Sequence, residues 1–171
     1  MNLPDGAVAA SMHNRLPMAA LLYGLPSLPV ENVEYKNNTY MESNKFKVII
    51  VEDVKLELKG TQEIFRHEIP NAEVIGTAMT ESEFWELLKV QVPDMVLLDL
   101  GLGGSTTIGV DICSSLRKNY PDIRVLIFTG EVLNEKLWVD ALNAGADGII
   151  LKTGELLTAT DVQAVMDGKK L

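Results

Sequence analysis

This sequence of 171 residues predicts a three-layer, doubly wound α/β domain, with one parallel sheet of five strands between two layers of helices. Three observations predict it. Apolar runs rich in Val, Ile and Leu take turns with segments of helical spacing, five times over. The runs are continuous, as strands covered on both faces must be. The connections are short, and right-handed crossovers through them make the strands parallel and put helices on both sides.

The elements follow in order. "KVIIV" is the first strand, and "KLELKGTQEIFRHEI" has helical spacing in Leu56, Leu58, Ile64 and Phe65, weakened by Gly60. "AEVIGTA" is the second strand. "TESEFWELLKV" opens with Thr80 and Glu83 at the spacing of a capping box. "DMVLLDL" is the third strand, and "GVDICSSLRKNY" a helix stopped by Pro121. "IRVLIFTG" is the fourth strand. "NEKLWVDALNAG" is a helix with Asn134 as its cap and Gly145 as a left-handed terminator. "DGIILK" is the fifth strand, and "TATDVQAVMDG" the last helix, ended by Gly168.

Composition bounds the function. Hydrophobic residues make up 47% of the chain, enough for a core, and the formal charge of -9 argues against a nucleic-acid-binding surface. The single Cys113 excludes an internal disulfide and fits a reducing compartment; within "VDICSSLR" it is expected to be a packed core thiol. No apolar run reaches the roughly 18 residues of a membrane span. The first 45 residues differ from the rest: Pro4, Pro17, Pro26 and Pro29 interrupt any period, and the apolar "PMAALLYGLPSLPV" lacks the charged start of a signal peptide. They are expected to be an N-terminal extension, loosely docked or the product of an upstream start, with Met41 a plausible natural beginning. Residues 46–171 form the expected domain.

In such sheets function collects at the carboxyl ends of the strands. There the sequence places Glu52, Asp53, Asp99, Thr129 and Lys152. Adjacent acids at a strand end can be plain solvent-facing loop, Asp99 a turn cap and Lys152 a solvated charge. Taken together they suit a hard divalent cation, since Mg²⁺ takes oxygen ligands and pairs one or two carboxylates with a phosphate. Asp99 would attack phosphorus and become an acyl phosphate. Lys152 would pair with phosphoryl oxygens as a point charge, and Thr129 would donate to another oxygen. Gly130 would leave room for the incoming group, and Gly101 would offer its carbonyl to the metal. Glu131 and Glu135 read as surface.

"VIIVED", "MVLLDL", "VLIFTG" and "AGADGIILK" resemble the receiver domain of bacterial-type two-component response regulators, over about residues 46–168. The resemblance implies a flavodoxin-like (CheY-like) fold with strand order 2-1-3-4-5. It implies that Asp99 accepts a phosphoryl group from a histidine kinase or phosphotransfer protein. Glu52, Asp53, Asp99 and the Gly101 carbonyl would hold Mg²⁺, and Thr129 and Lys152 would sense the phosphoryl group. The last third looks most like receivers of helix-turn-helix transcriptional regulators. The expectation is therefore a cytoplasmic switch that acts on transcription through an output domain, absent here, without binding nucleic acid or membrane itself. A homodimer through the face of the fourth helix, fifth strand and fifth helix is the family's common arrangement.

Three departures stand out. "DLGLGGSTTIG" is Gly-rich and about two residues longer than the family's usual loop, which implies a more mobile active-site loop. The aromatic switch position is Ile149. Thr153 follows Lys152 where many members have Pro, so no cis peptide is expected there. Two other readings use the same residues: a Mg²⁺-dependent phosphatase with an Asp99 nucleophile, and a pseudo-receiver acting by protein contact only. The phosphatase would want a second acid and a cap that excludes water.

Overall fold

A computed structural model describes residues 45–105, 107–130, 134–153 and 157–171. The expected N-terminal extension and the surface reading of Glu131 lie outside the described residues, Lys45 excepted. The elements are β1 (Phe46–Val51), α1 (Lys55–Glu68), β2 (Ala72–Ala78), α2 (Glu81–Val90), β3 (Met95–Leu98), a 3₁₀ turn (Leu102–Gly104), α3 (Ile108–Asn119), β4 (Arg124–Thr129), α4 (Glu135–Asn143), β5 (Gly148–Leu151) and α5 (Ala159–Met166). The strands form one parallel sheet in the order β2-β1-β3-β4-β5, as the resemblance implies.

The continuous apolar runs are explained by the two cores they feed. Val48, Ile50, Met95, Leu97, Leu126 and Phe128 face one side, against Leu58 and Phe65 of α1 and Val162 and Val165 of α5. Ile49, Val51, Val96, Leu98, Val125 and Ile127 face the other, against Phe84 and Leu88 of α2, Ile112 and Leu116 of α3, and Leu137 and Ala141 of α4. Successive strand residues point to opposite faces, so a strand buried twice must be apolar at every position. Each such side chain contributes roughly 2 kcal/mol by leaving water. The edge strands β2 and β5 are only half-buried.

Most of the local signals act as read. Asn134 accepts from the Leu137 amide at 3.1 Å, and Gly145 and Gly168 end their helices at φ of 110° and 80°. Cys113 lies fully buried on α3, and burial pushes its thiol up to about 12, which makes it inert. Among the described residues no peptide bond is cis. Glu135 is exposed.

Two signals act differently. Leu56 is 81% exposed: it sits in the first turn of α1, and the inward stripe is Leu58, Thr61 and Phe65. The capping box at Thr80 is only half made. Thr80 Oγ1 accepts from the Glu83 amide at 3.2 Å, but Glu83 Oε2 accepts from Met79 N at 2.7 Å, one residue before the cap. The reciprocal box stands instead on α5, where Thr158 and Asp161 each accept the other's amide.

Asp147, just before β5, ties the amino ends of β4 and β5 together. Its carboxylate accepts from the Val125 amide at 2.9 Å, from Arg117 at 3.0 Å and from Lys170 at 2.8 Å. Burial alone would raise its pKa, but Lys170, the Val125 amide and Arg117 outweigh that and hold it below the usual carboxylate range. A carboxyl whose folded pKa is depressed contributes stability that is complete above its unfolded pKa and disappears as pH falls through the folded one. Asp147→Asn should therefore cost about 2 kcal/mol at neutral pH. In urea unfolding the gap to wild type should shrink once pH drops below about 4. An unchanged gap at low pH would show that the Asp147 charge is not the stabilising element.

Candidate functional site

The carboxyl edge of the sheet is extended one residue past its strands by ladder hydrogen bonds. Glu52 N donates to Ala78 O at 3.0 Å, Asp99 N to Val51 O at 3.0 Å, and Lys152 N to Thr129 O at 2.9 Å. These bonds fix three charged residues on a rim whose interior is apolar. Glu52 is 3% and Asp99 8% exposed, while Asp53 is half-buried.

Glu52, Asp53 and Asp99 each bring a carboxylate oxygen within 4.8 Å of the other two. Lys152 Nζ donates to Glu52 Oε2, to Glu57 Oε2 at 2.6 Å and to Asp99 Oδ1 at 3.4 Å. It stands 5.7 Å from the centre of the Phe128 ring. Backbone amides supply further donors. Val54 N reaches Glu52 Oε1 at 2.9 Å, Gly101 N reaches Asp99 Oδ2 at 3.0 Å, and Gly103 N reaches Asp53 Oδ2 at 2.9 Å.

Burial pushes the Glu52 carboxyl up, against the pull of Lys152 and the Val54 amide, and the Asp99 charge adds to the push. Burial would lower Lys152, but its bonds to Glu52 and Glu57 and the charge of Asp99 outweigh it and raise the ammonium above its ordinary value. Lys152 is thus held protonated.

The other residues singled out in the sequence fall as follows. Thr129 is fully buried at the end of β4, beside Lys152 in the ladder. Gly130 is exposed, and a β-carbon built there meets nothing within 4 Å beyond its chain neighbours. The Gly101 carbonyl accepts from Gly104 N at 3.1 Å, which leaves its second lone pair open. Ile149 lies within β5 opposite Ile127, partly buried against the aliphatic core. In the first part of the Gly-rich loop, Leu102–Gly104 form a 3₁₀ turn. Leu102 is buried in the core, Ser105 N donates to Leu102 O at 3.0 Å, and Gly103 takes a φ of 63° that favours glycine.

Sequence reasoning missed two contributors. Glu57 lies in the first turn of α1, where an acid is common, and nothing in its local spacing points to Lys152. Gly109 permits a close crossing: a β-carbon there would lie 2.9 Å from Leu100 Cα and 3.0 Å from the Asp99 carbonyl. Its place at the start of a helix predicted right after the loop that follows Asp99 was the available signal.

A doubly wound sheet of order 2-1-3-4-5 thus carries an acid trio and a lysine on its carboxyl rim. The family model for the response regulator receiver domain matches residues 48–161, and the chain belongs to that family. It is similar to the DNA-binding transcriptional activator DevR/DosR of Mycobacterium tuberculosis, with 30% identity over 62% of this chain and 47% of that protein. It is similar to the transcriptional regulatory protein LnrK of Bacillus subtilis, with 32% identity over 70% of this chain and 52% of that protein. The nitrate/nitrite response regulator NarL of Escherichia coli K12 is 29% identical over 63% of this chain and 48% of its own length. The chain spans about half the length of the curated relatives it matches. Its fold matches the signal receiver domain of the putative response regulator NarL from Mycobacterium tuberculosis with a TM-score of 0.65 and 24% identity, over 74% of this chain and 99% of that one.

The Gly109 crossing sets a test of how tightly α3 holds the rim. Gly109→Ala should lose about 2 kcal/mol in urea unfolding, because backbone must shift to admit the methyl group. Gly130→Ala should stay within about 0.5 kcal/mol of wild type. Equal stability of the two variants would refute the close crossing.

Proposed function

We propose that this receiver is a phosphorylation switch in which Asp99 accepts a phosphoryl group from the phosphohistidine of a histidine kinase or phosphotransfer protein. Asp99 Oδ1 would attack phosphorus as the P–N bond breaks. The bonding pair stays on the imidazole nitrogen, which then takes a proton. The observation that carries this reading is the Lys152 ammonium beside Asp99 Oδ1 while three acids converge. The all-oxygen donor set fits Mg²⁺, with Glu52, Asp53, Asp99 and the open lone pair of Gly101 as its holders. A bound cation would offset the repulsion between carboxylates and the incoming phosphoryl oxygens.

Lys152 would then pair with a phosphoryl oxygen and Thr129 would donate to another. That rearrangement biases the face of α4, β5 and α5 toward a partner-binding or dimeric state, a shift of population. With Ile149 in place of an aromatic switch, either the loop after Thr129 carries the signal or the output is weakly coupled to the rim. DevR/DosR and LnrK are a transcriptional activator and a transcriptional regulatory protein, and by that likeness the output is transcription through a domain outside the receiver. The phosphodonor places the switch in the cytoplasm. Among the described residues no helix is long and apolar enough to cross a membrane.

A switch is favoured over a turnover phosphatase because the acids at the rim are already engaged. Glu52, Glu57 and Asp99 all accept from Lys152 and Asp53 accepts from the Gly103 amide, so each rim acid is ionised and partnered where a phosphatase would want one protonated. Incubation with Mg²⁺ and acetyl phosphate should add one phosphoryl group by intact mass, and Asp99→Asn should remove it. Wild type that gains no mass would count against the switch, and sustained turnover of p-nitrophenyl phosphate would favour the phosphatase.

A further inference from the structure

Glu57 is not one of the three acids that converge on the candidate metal position, yet it binds the same lysine. An ammonium has three N–H donors. Lys152 directs them to Glu52, to Glu57 at 2.6 Å and to Asp99 at 3.4 Å, so its donors are fully committed. A phosphoryl group on Asp99 takes over the donor now on Asp99 Oδ1 at 3.4 Å, and a shorter bond to it draws the ammonium away from one of the two glutamates. The bond to Asp99 is the longest of the three, and the Glu52 carboxylate is buried and also held by the Val54 amide. Glu57 is different. Its side chain is 46% exposed on the first turn of α1, so a released carboxylate turns into water at small cost and still favours the helix N-terminus.

We propose that Glu57 is a positioning residue that competes with the phosphoryl group for Lys152, holding the lysine back in the unphosphorylated receiver and resisting its phosphorylation. This rests on the reading of Asp99 as phosphoacceptor. The competition is between two anions for the position of one ammonium. As Lys152 closes on the phosphoryl oxygens it draws away from Glu57, and Glu57 regains it when the phosphoryl group is lost. The chain thereby sets its own threshold for activation, with a residue that contacts neither phosphorus nor the metal position.

The test compares Glu57→Gln, which keeps the shape and removes the charge, with Glu63→Gln, an exposed acid further along α1 that pairs with Arg66 and His67. With acetyl phosphate and Mg²⁺, Glu57→Gln should take up label on the order of fivefold faster than wild type, the scale of a partly exposed ion pair. It should bind the phosphoryl mimic beryllium trifluoride more tightly by a similar factor, and added salt should narrow both differences. Glu63→Gln should match wild type. Glu57→Ala repeats the charge removal, and thermal melting of both variants confirms that they are folded. Uptake by Glu57→Gln at or below the wild-type rate, or equal acceleration by Glu63→Gln, overturns the proposal. Wild type that takes up no label at all defeats the switch itself; labelled wild type with an unaccelerated Glu57→Gln defeats this inference alone.

Discussion

The carboxyl rim of this sheet depends on one ammonium. Lys152 is the cation shared by Glu52, Glu57 and Asp99, and two of those acids are almost excluded from water. An ionised carboxylate buried without a partner costs several kcal/mol, so the acids must be paired, protonated or expelled. The pairing spans most of the sheet. From β5 to β1 is three strand spacings, roughly 14 Å. A lysine whose ammonium lies over the Phe128 ring of the intervening β4, met by a glutamate from the end of β1, can bridge that gap. The charged head itself stands over the ring, 5.7 Å from its centre, at the range of a cation–π contact. The aromatic core residue and the ion pair are thus parts of one arrangement.

The same bridge couples the site to the packing of α1. Leu58, Phe65 and Ile69 seat that helix in the core it shares with α5. Its first turn carries Glu57 to Lys152, and its buried Thr61 lies in the small cavity that Glu52 and Asp99 also line. A change that lifts α1 from its core therefore acts on the lysine before it acts on the acids. Gly109 plays the matching part on the other face, letting α3 come close enough to fix the backbone of Asp99 and Leu100.

The fold was legible because both-face burial leaves a plain mark, the unbroken apolar strand, and because Asn134, Gly145 and Gly168 punctuate helices by local chemistry. The site was legible as a set of charged residues, each placed just after such a run. What escaped depends on distance in space. Glu57 looks like any acid in a first helical turn; only the fold that brings Lys152, 95 residues on, beside it makes it part of the rim. Asp147 looks like half of a turn dipeptide until Val125, Arg117 and Lys170 gather around it. Leu56 fits the helical period, but period alone does not say which residues of a first turn face inward. Thr80 and Glu83 have capping-box spacing, yet the choice between the amides of Met79 and Thr80 is a matter of chain entry angle that spacing does not encode.

Charge at the rim remains unbalanced after every bond is counted. Four carboxylates, those of Glu52, Asp53, Glu57 and Asp99, face the Lys152 ammonium. The loop after β3 answers part of that surplus with backbone dipoles: the Gly101 amide turns to Asp99 and the Gly103 amide to Asp53. The glycine richness that sets this loop apart has a physical use here, since Gly103 reaches Asp53 from a left-handed conformation that a side chain would disfavour. Amides solvate an anion without cancelling its charge. On the proposed reading that difference matters: a rim neutralised by a second lysine would have no call for a divalent cation, whereas one solvated by amides stays folded and still favours the cation that phosphoryl transfer needs.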